Sequence, residues 1–195
     1  MGEGQPKGSS VLGGAVVNRV VKVVVTGPVN AGKTTLIRTL SDVPVVCTNE
    51  SATDDVAGMK DLTTVAMDHG ICYPSEGMEL HLYGTPGQRR FDFMWEILAV
   101  GAHAILFLVD GSDPESIEEV SYIYDHFGER INIPELILVT KSDLEAALSP
   151  ADIAATMGID SNHVVACDPR DTNAAKATLI AFIESQKLEV CEPII

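Results

Sequence analysis

Residues 27 to 34 read G-P-V-N-A-G-K-T and place a lysine and a hydroxyl directly after a glycine-rich turn. Gly27 and Gly32 allow backbone angles that point consecutive N–H groups at one anion. Lys33 would reach the β- and γ-phosphates of a nucleotide, and the Thr34 hydroxyl would ligate Mg²⁺. A helix beginning there would add its positive N-terminal dipole. The segment therefore predicts a phosphate-binding loop. Its predicted nucleotide contacts are Gly27, Asn30, Ala31, Gly32, Lys33, Thr34 and Thr35.

A second chemical signal, Thr140-Lys141-Ser142-Asp143, follows an apolar run that is typical of a buried strand. The Asp143 carboxylate could accept hydrogen bonds from both N1–H and the exocyclic amine of guanine. Adenine offers no such pair of donors. The aliphatic stem of Lys141 could lie along the base while its ammonium forms a local ion pair. Thr140, Lys141 and Asp143 are thus predicted to select and hold a guanine nucleotide.

Three further segments resemble functional segments of Ras-like GTPases. Residues 84 to 88, G-T-P-G-Q, resemble switch II, which implies that the Gly87 N–H binds the γ-phosphate and that Gln88 orients the attacking water. Residues 64 to 68, T-V-A-M-D, resemble switch I of Rab-like proteins, which implies that Thr64 closes on Mg²⁺ and the γ-phosphate. Thr63 is the alternative, because the register before a strand is uncertain by a residue or two.

The third segment, Val165-Ala166-Cys167, lies where the same family has an S-A-K loop behind the base. The resemblance implies that the Ala166 N–H faces the guanine O6 and that Cys167 adjoins the base. By the same resemblance, Gln88, Lys33 and Thr64 would be the catalytic residues, and Thr34 and Thr64 would be the metal ligands.

The resemblance to the Ras superfamily covers residues 20 to 187, nearly the whole chain. The spellings T-V-A-M-D and G-T-P-G-Q are similar to those of prokaryotic Ras-like GTPases related to MglA. This implies a GTP hydrolase that uses Mg²⁺, converts GTP to GDP, and acts as a signalling or polarity switch. It also implies an effector and a regulatory partner, either of the roadblock type or another GTPase-activating protein.

The elements that must position these residues alternate between strands and helices. A β-branched run at 20–25 predicts a central strand before the loop, and the run from Thr34 to Leu40 predicts a helix after it. Residues 65–73 and 78–83 predict an antiparallel hairpin, whereas 41–63 predict a long loop. Together they predict an α/β fold: a single three-layer P-loop NTPase domain, or Ras-like G domain, whose mostly parallel central sheet has one antiparallel edge strand.

The chain is expected to divide into a flexible arm at residues 1–18, a G domain at 19–190 and a tail at 191–195. Composition argues for a cytoplasmic protein, because the four cysteines form no C-x-x-C pair and no apolar run reaches the length of a membrane span. We expect no signal peptide, because no cationic segment precedes an apolar stretch at the start of the chain. We expect no lipid anchor, since Pro6 breaks the myristoylation motif and Cys191 the prenylation motif. The net charge of −15 argues against nucleic acid as a partner.

One departure from the family pattern concerns the metal. Gly84 stands where most relatives carry an aspartate that holds Mg²⁺ through water, so metal binding should be weakened or rearranged. Asp68 on the neighbouring strand would compensate if the hairpin register brings it alongside. The alternative is that Asp68 is an ordinary aspartate that faces solvent or a partner.

Two rival functions remain open on the sequence. A P-loop kinase would need several arginines on a lid, which the chain does not show. A GTP-binding scaffold with weak catalysis is favoured by Val29 and Gly84 but opposed by Gln88. Slow hydrolysis is expected because residues 50 to 64 contain no arginine that could act as a finger. Arg89 and Arg90 are candidates, although a surface or partner contact is the simpler explanation of both.

Overall fold

The structure, a computed structural model, describes residues 19–47, 67–128 and 132–186. Within these residues the chain forms seven strands and five α-helices. The strands are β1 (Arg19–Thr26), β2 (Val46–Cys47), β3 (Asp68–Ser75), β4 (Met78–Gly84), β5 (Ala104–Asp110), β6 (Glu135–Thr140) and β7 (Val164–Ala166). The helices are α1 (Lys33–Leu40), α2 (Asp92–Ala99), α3 (Pro114–Gly128), α4 (Pro150–Met157) and α5 (Thr172–Ser185). No helix among them has the length and apolarity that a membrane crossing requires.

The strands form one sheet in the order β2-β3-β4-β1-β5-β6-β7. Strands β4, β1, β5, β6 and β7 are mutually parallel, whereas β3 is antiparallel to both of its neighbours. The predicted mostly parallel α/β sheet is therefore confirmed. The position of the antiparallel strand differs, because β2 pairs outside β3 and becomes the edge. Two residues are too short to show a strand pattern, so the sequence assigned Val46 and Cys47 to a loop.

Helices cover both faces of the sheet, which gives the predicted three layers. Side chains alternate along β1, so that Val23 and Val25 pack with α1 and α5 while Val24 packs with α2 and α3. β5 is buried along its whole length, as expected for a central parallel strand that is covered on both faces. The two cores hold the ends of the strands in fixed positions relative to each other.

This topology collects the candidate functional residues at one edge of the sheet. The carboxyl ends of β1, β4, β5 and β6 meet there, which is where open α/β sheets bind their ligands. The antiparallel β3 contributes its first residue to the same edge, because Asp68 pairs with Gly84 at the end of β4. Residues far apart in the chain are thereby placed side by side.

We predict that Gly27→Ala unfolds the domain or costs several kcal/mol. Gly27 has a φ of 140°, and a Cβ atom there would collide with the Leu108 carbonyl oxygen of β5. Backbone strain and overpacking together should cost about 2–6 kcal/mol in the free energy of unfolding. Gly101→Ala is the matched control, because Gly101 has a φ of 69° but a Cβ there would meet nothing within 4 Å. Denaturant unfolding of both variants measures the difference; equal costs would contradict the collision.

Candidate nucleotide-binding site

The loop between β1 and α1 has the geometry of an anion cradle. Gly27, Asn30 and Gly32 all have positive φ, at 140°, 65° and 98°. Asparagine tolerates this region better than most residues, which explains Asn30 in place of a glycine. The loop leads directly into α1, so the unpaired N–H groups and the dipole of the helix face the same space.

Lys33 places a buried positive charge under this loop. Its Nζ donates to the carbonyl oxygens of Gly27 at 2.8 Å and Pro28 at 2.5 Å. Burial lowers the pKa of the Lys33 ammonium to about 8, and the negative charge of Asp68 partly opposes this. A polyphosphate in the cradle would supply the counter-charge that the buried ammonium lacks.

The first helical turn and the start of β3 bring two oxygen ligands together. The Thr34 hydroxyl donates to the Asp68 carboxylate at 2.5 Å, across 34 positions of the chain. Such oxygens are the ligands that Mg²⁺ prefers, and Mg²⁺ usually takes only one or two carboxylates in addition to phosphate oxygens. The described residues contain no cluster of three His, Cys, Asp or Glu that could hold a metal alone. The pair therefore fits a metal ion shared with a phosphate.

The Asp68 side chain occupies the space that a side chain at Gly84 would use. A Cβ at Gly84 would lie 3.2 Å from the Asp68 Cβ, and 2.8 Å from the Cδ1 of Ile37. The register Asp68↔Gly84 is the one that the compensation hypothesis requires. Of the two alternatives for Asp68, the geometry favours the inward-facing carboxylate over the solvent-facing one.

The end of β6 joins the cradle to the predicted base site. The buried Thr140 hydroxyl donates to the Ala31 carbonyl at 3.0 Å and lies 3.1 Å from the Val109 carbonyl. Lys141 has a φ of 55° and pairs with the Asp110 carboxylate at the end of β5. Burial works against a charged Asp110, but hydrogen bonds from Lys141 and Ser112 outweigh it and hold its pKa below the usual range.

Asp143, the predicted base reader, is exposed beside the loop that follows β7. Arg170 from that loop contacts the Asp143 carboxylate at 3.3 Å and binds Asp168 at 2.8 Å. Cys167 is buried, and its N–H donates to the Val139 carbonyl at 2.9 Å, whereas Ala166 is exposed at the end of β7. That Ala166 and Cys167 contact the base stays a prediction.

Sequence reasoning missed Asp110 and Arg170 as members of this site. Asp110 could have been found, because an acidic residue at the end of an apolar strand is expected at the same sheet edge as the other site residues. In the structure it pairs in register with Thr140 of the parallel strand β6. Arg170 had none, because its contact with Asp143 depends on how two loops meet.

The segment between β4 and α2 lies against the phosphate loop. The Thr85 N–H donates to the Val25 carbonyl at 2.9 Å, and the Thr85 hydroxyl donates to Thr26 at 2.8 Å. A Cβ at Gly87 would lie 2.7 Å from the Val29 nitrogen and 2.8 Å from the Lys33 Nζ. Only glycine fits this approach, so the predicted γ-phosphate contact at Gly87 is placed beside the buried ammonium.

Gln88 is exposed and begins the turn before α2. The next residue, Arg89, donates to the Glu119 carboxylate of α3 at 2.9 Å and lies over the Tyr122 ring at 4.2 Å. Thr64 and its alternative Thr63 lie outside the described residues, as do the arm at 1–18 and the tail at 191–195. Their predicted roles stay predictions.

Comparisons with known proteins find relatives over most of this chain. The model of the ADP-ribosylation factor family matches residues 9–180. The chain is 27% identical over 146 residues to "ADP-ribosylation factor-like protein 6" of Caenorhabditis briggsae, covering 72% of this chain and 70% of that protein. It is 33% identical over 124 residues to an uncharacterised protein of Methanocaldococcus jannaschii, covering 64% of this chain and 71% of that protein. "ADP-ribosylation factor-like protein 3" of Chlamydomonas reinhardtii is 24% identical over 146 residues, covering 72% and 73%.

We predict that nucleotide affinity falls as the pH rises above about 8, where the Lys33 ammonium of the free protein loses its proton. A bound polyphosphate would raise that pKa, so affinity is full below about pH 8 and falls by up to about tenfold per pH unit above it. Titration of a fluorescent guanosine diphosphate between about pH 7 and about pH 9, with metal chelated, measures the effect. Lys33→Met should bind weakly with no such dependence; a flat wild-type profile would contradict the prediction.

Proposed function

This chain belongs to the ADP-ribosylation factor family of small GTPases, and we propose that it is a switch that binds GTP and GDP with Mg²⁺ and hydrolyses GTP slowly by itself. One observation supports this best: the phosphate cradle and the base-reading segment are joined by direct contact. Thr140, which begins T-K-S-D, donates to the Ala31 carbonyl of the cradle at 3.0 Å. A nucleotide with its phosphates over Lys33 would extend its base towards Asp143.

At the phosphate end of the site, catalysis would be electrostatic. Lys33 and the loop N–H groups neutralise the charge that develops on the phosphates during hydrolysis. Thr34 and Asp68 would hold the Mg²⁺ ion, which would supply further positive charge to the phosphates. Asp68 would hold the ion in place of the aspartate that most relatives carry at the position of Gly84 on β4.

Hydrolysis would depend on Gln88, which would orient the attacking water. Arg89 follows it directly but is held by Glu119 and Tyr122 on α3. It therefore does not supply a finger at the γ-phosphate in this conformation. Slow intrinsic hydrolysis follows, and a partner that brings an arginine or reorients Gln88 would accelerate it.

The switch itself would come from contacts that only the triphosphate makes. The γ-phosphate would hold Gly87 and Thr64, and hydrolysis would release both segments. A partner that reads these segments would then distinguish GTP from GDP. A roadblock-type or other GTPase-activating protein, an effector, and a role in signalling or polarity in the cytoplasm remain part of the proposal.

We also propose that the chain is related to the MglA-like or Rab-like group of GTPases. It rests on the spellings T-V-A-M-D and G-T-P-G-Q and on the missing aspartate at Gly84. The same holds for the division into an arm at 1–18, a G domain at 19–190 and a tail at 191–195.

We expect the purified protein to carry guanine nucleotide and to release phosphate from GTP slowly. Gln88→Leu should lower the single-turnover rate by about tenfold or more while GTP affinity stays near that of the wild type, because Gln88 acts on water and not on the nucleotide. Denaturing the protein and separating the released nucleotides measures the first point. Adenine nucleotide in the preparation would contradict the proposed choice of guanine. A single-turnover rate that is fast in the wild type, or unchanged in Gln88→Leu, would contradict the proposed hydrolysis.

The role of Asp68 is tested by the Mg²⁺ dependence of GDP affinity. Asp68→Asn keeps the shape of the side chain but removes its charge, and should reduce the gain in affinity that Mg²⁺ gives by about tenfold. Asp42→Asn is the control, since Asp42 lies just beyond the C-terminal end of α1, at the other end of this helix from the cradle, and pairs with Lys176 at 2.7 Å.

Moving the carboxylate to the neighbouring strand gives the converse test. In the double variant Asp68→Gly, Gly84→Asp, the new side chain must displace only the flexible end of Ile37. We expect the Mg²⁺ response to return. A wild-type Mg²⁺ response in Asp68→Asn would remove Asp68 from the metal site.

A further inference from the structure

Trp95, the single tryptophan of the chain, hydrogen-bonds to the segment that carries Gly87 and Gln88. It lies on α2 and is fully buried. Its indole Nε1–H donates to the carbonyl oxygen of Pro86 at 2.8 Å. This oxygen belongs to the peptide group whose nitrogen is that of Gly87.

Because that peptide group is planar, the hydrogen bond to its C=O also fixes the direction of its N–H. A trans peptide directs its C=O and N–H in opposite directions, and the described residues contain no cis peptide bond. By fixing the Pro86 carbonyl, Trp95 therefore fixes the Gly87 N–H so that it points away from α2. Within the described part of the chain this N–H has no hydrogen-bond acceptor. Gly87 itself lies against Val29 and Lys33 of the phosphate loop.

The indole packs against α3. Three aromatic side chains of α3 surround it, with ring centroids 6.4 Å away for Tyr122, 5.3 Å for His126 and 6.3 Å for Phe127. On the loop side, Thr85 is fixed by its bonds to Val25 and Thr26. The Pro86 carbonyl is thus fixed by Trp95, and the residue before Pro86 is fixed by β1.

We propose that Trp95 is a positioning residue that aims the Gly87 N–H at the terminal phosphate and thereby sets the preference for triphosphate over diphosphate. This inference rests on the proposed function. Trp95 would act through Gly87 and would not contact the nucleotide itself. GDP has no phosphate at that position, so its affinity does not depend on the direction of this N–H. Without the indole donor, the buried Pro86 carbonyl has lost its partner and the peptide can rotate to find another.

The test compares two affinities in one variant. Trp95→Phe retains an aromatic ring and removes the donor. The affinity for a GTP analogue with nitrogen between the β- and γ-phosphates should fall by about fivefold, the effect of one lost hydrogen bond, while GDP affinity changes less than about twofold. Phe127→Leu is the matched control, because it loosens the packing on Trp95 but leaves the indole donor in place. It should leave the ratio of the two affinities near that of the wild type.

The outcomes separate the inference from the proposed function. An unchanged ratio in Trp95→Phe overturns the positioning role, and so does an equal shift in Phe127→Leu. If the wild type binds neither nucleotide, the proposed function fails first. If Trp95→Phe fails to fold, the wild type still decides, because one tryptophan gives a single indole N–H resonance. By linkage, a phosphate bound at the Gly87 N–H should stabilise the indole bond, so exchanging GDP for the analogue should slow the hydrogen exchange of that N–H; an equal exchange rate in the two complexes overturns the inference.

Discussion

The Lys33 ammonium is buried against the carbonyl oxygens of Gly27 and Pro28, and the rest of the site is arranged around this one charge. Burial disfavours the charged form of Lys33 and lowers its pKa. An anion bound next to the ammonium would therefore be stabilised by it. The chain as a whole carries a net charge of −15, which repels anions. Its affinity for a polyphosphate must therefore come from local geometry: the ammonium, the positive-φ loop and the first turn of α1.

The strand order and register of the sheet determine which groups lie near the Lys33 ammonium. Because β3 runs antiparallel to β4, its first residue meets the last residue of β4, and Asp68 comes to lie beside Gly84. The Asp68 carboxylate thus reaches the Thr34 hydroxyl from the strand next to β4. On the other side, β5 and β6 end in register, which brings Asp110 to Lys141 and orients the base-reading segment. The position of a charge in space matters here more than its position in the sequence.

Local patterns made much of this predictable. The phosphate loop and T-K-S-D depend on spacing within a few residues, and the alternation of apolar runs with helical segments gave the mostly parallel sheet. Contacts between distant segments were not predictable: Arg170 reaches Asp143 through loop conformation, and Trp95 reaches Pro86 through the packing of α2 on α3. The edge strand β2 was missed because two residues carry no periodicity. The ADP-ribosylation factor family is supported by a match over residues 9–180, whereas the MglA-like or Rab-like group, drawn from two short segments, stays a proposal.

The central claim, that Asp143 selects guanine for a nucleotide whose phosphates Lys33 holds, is tested most directly by exchanging one atom on each partner. Xanthine carries a carbonyl where guanine carries its exocyclic amine, so Asp143→Asn offers it a donor in place of an acceptor. Calorimetric titration should show that the wild type prefers GTP to xanthosine triphosphate and to ATP by about 100-fold or more, and that Asp143→Asn prefers xanthosine triphosphate. A wild type that binds ATP as tightly as GTP, or a variant that still prefers GTP, would contradict the account.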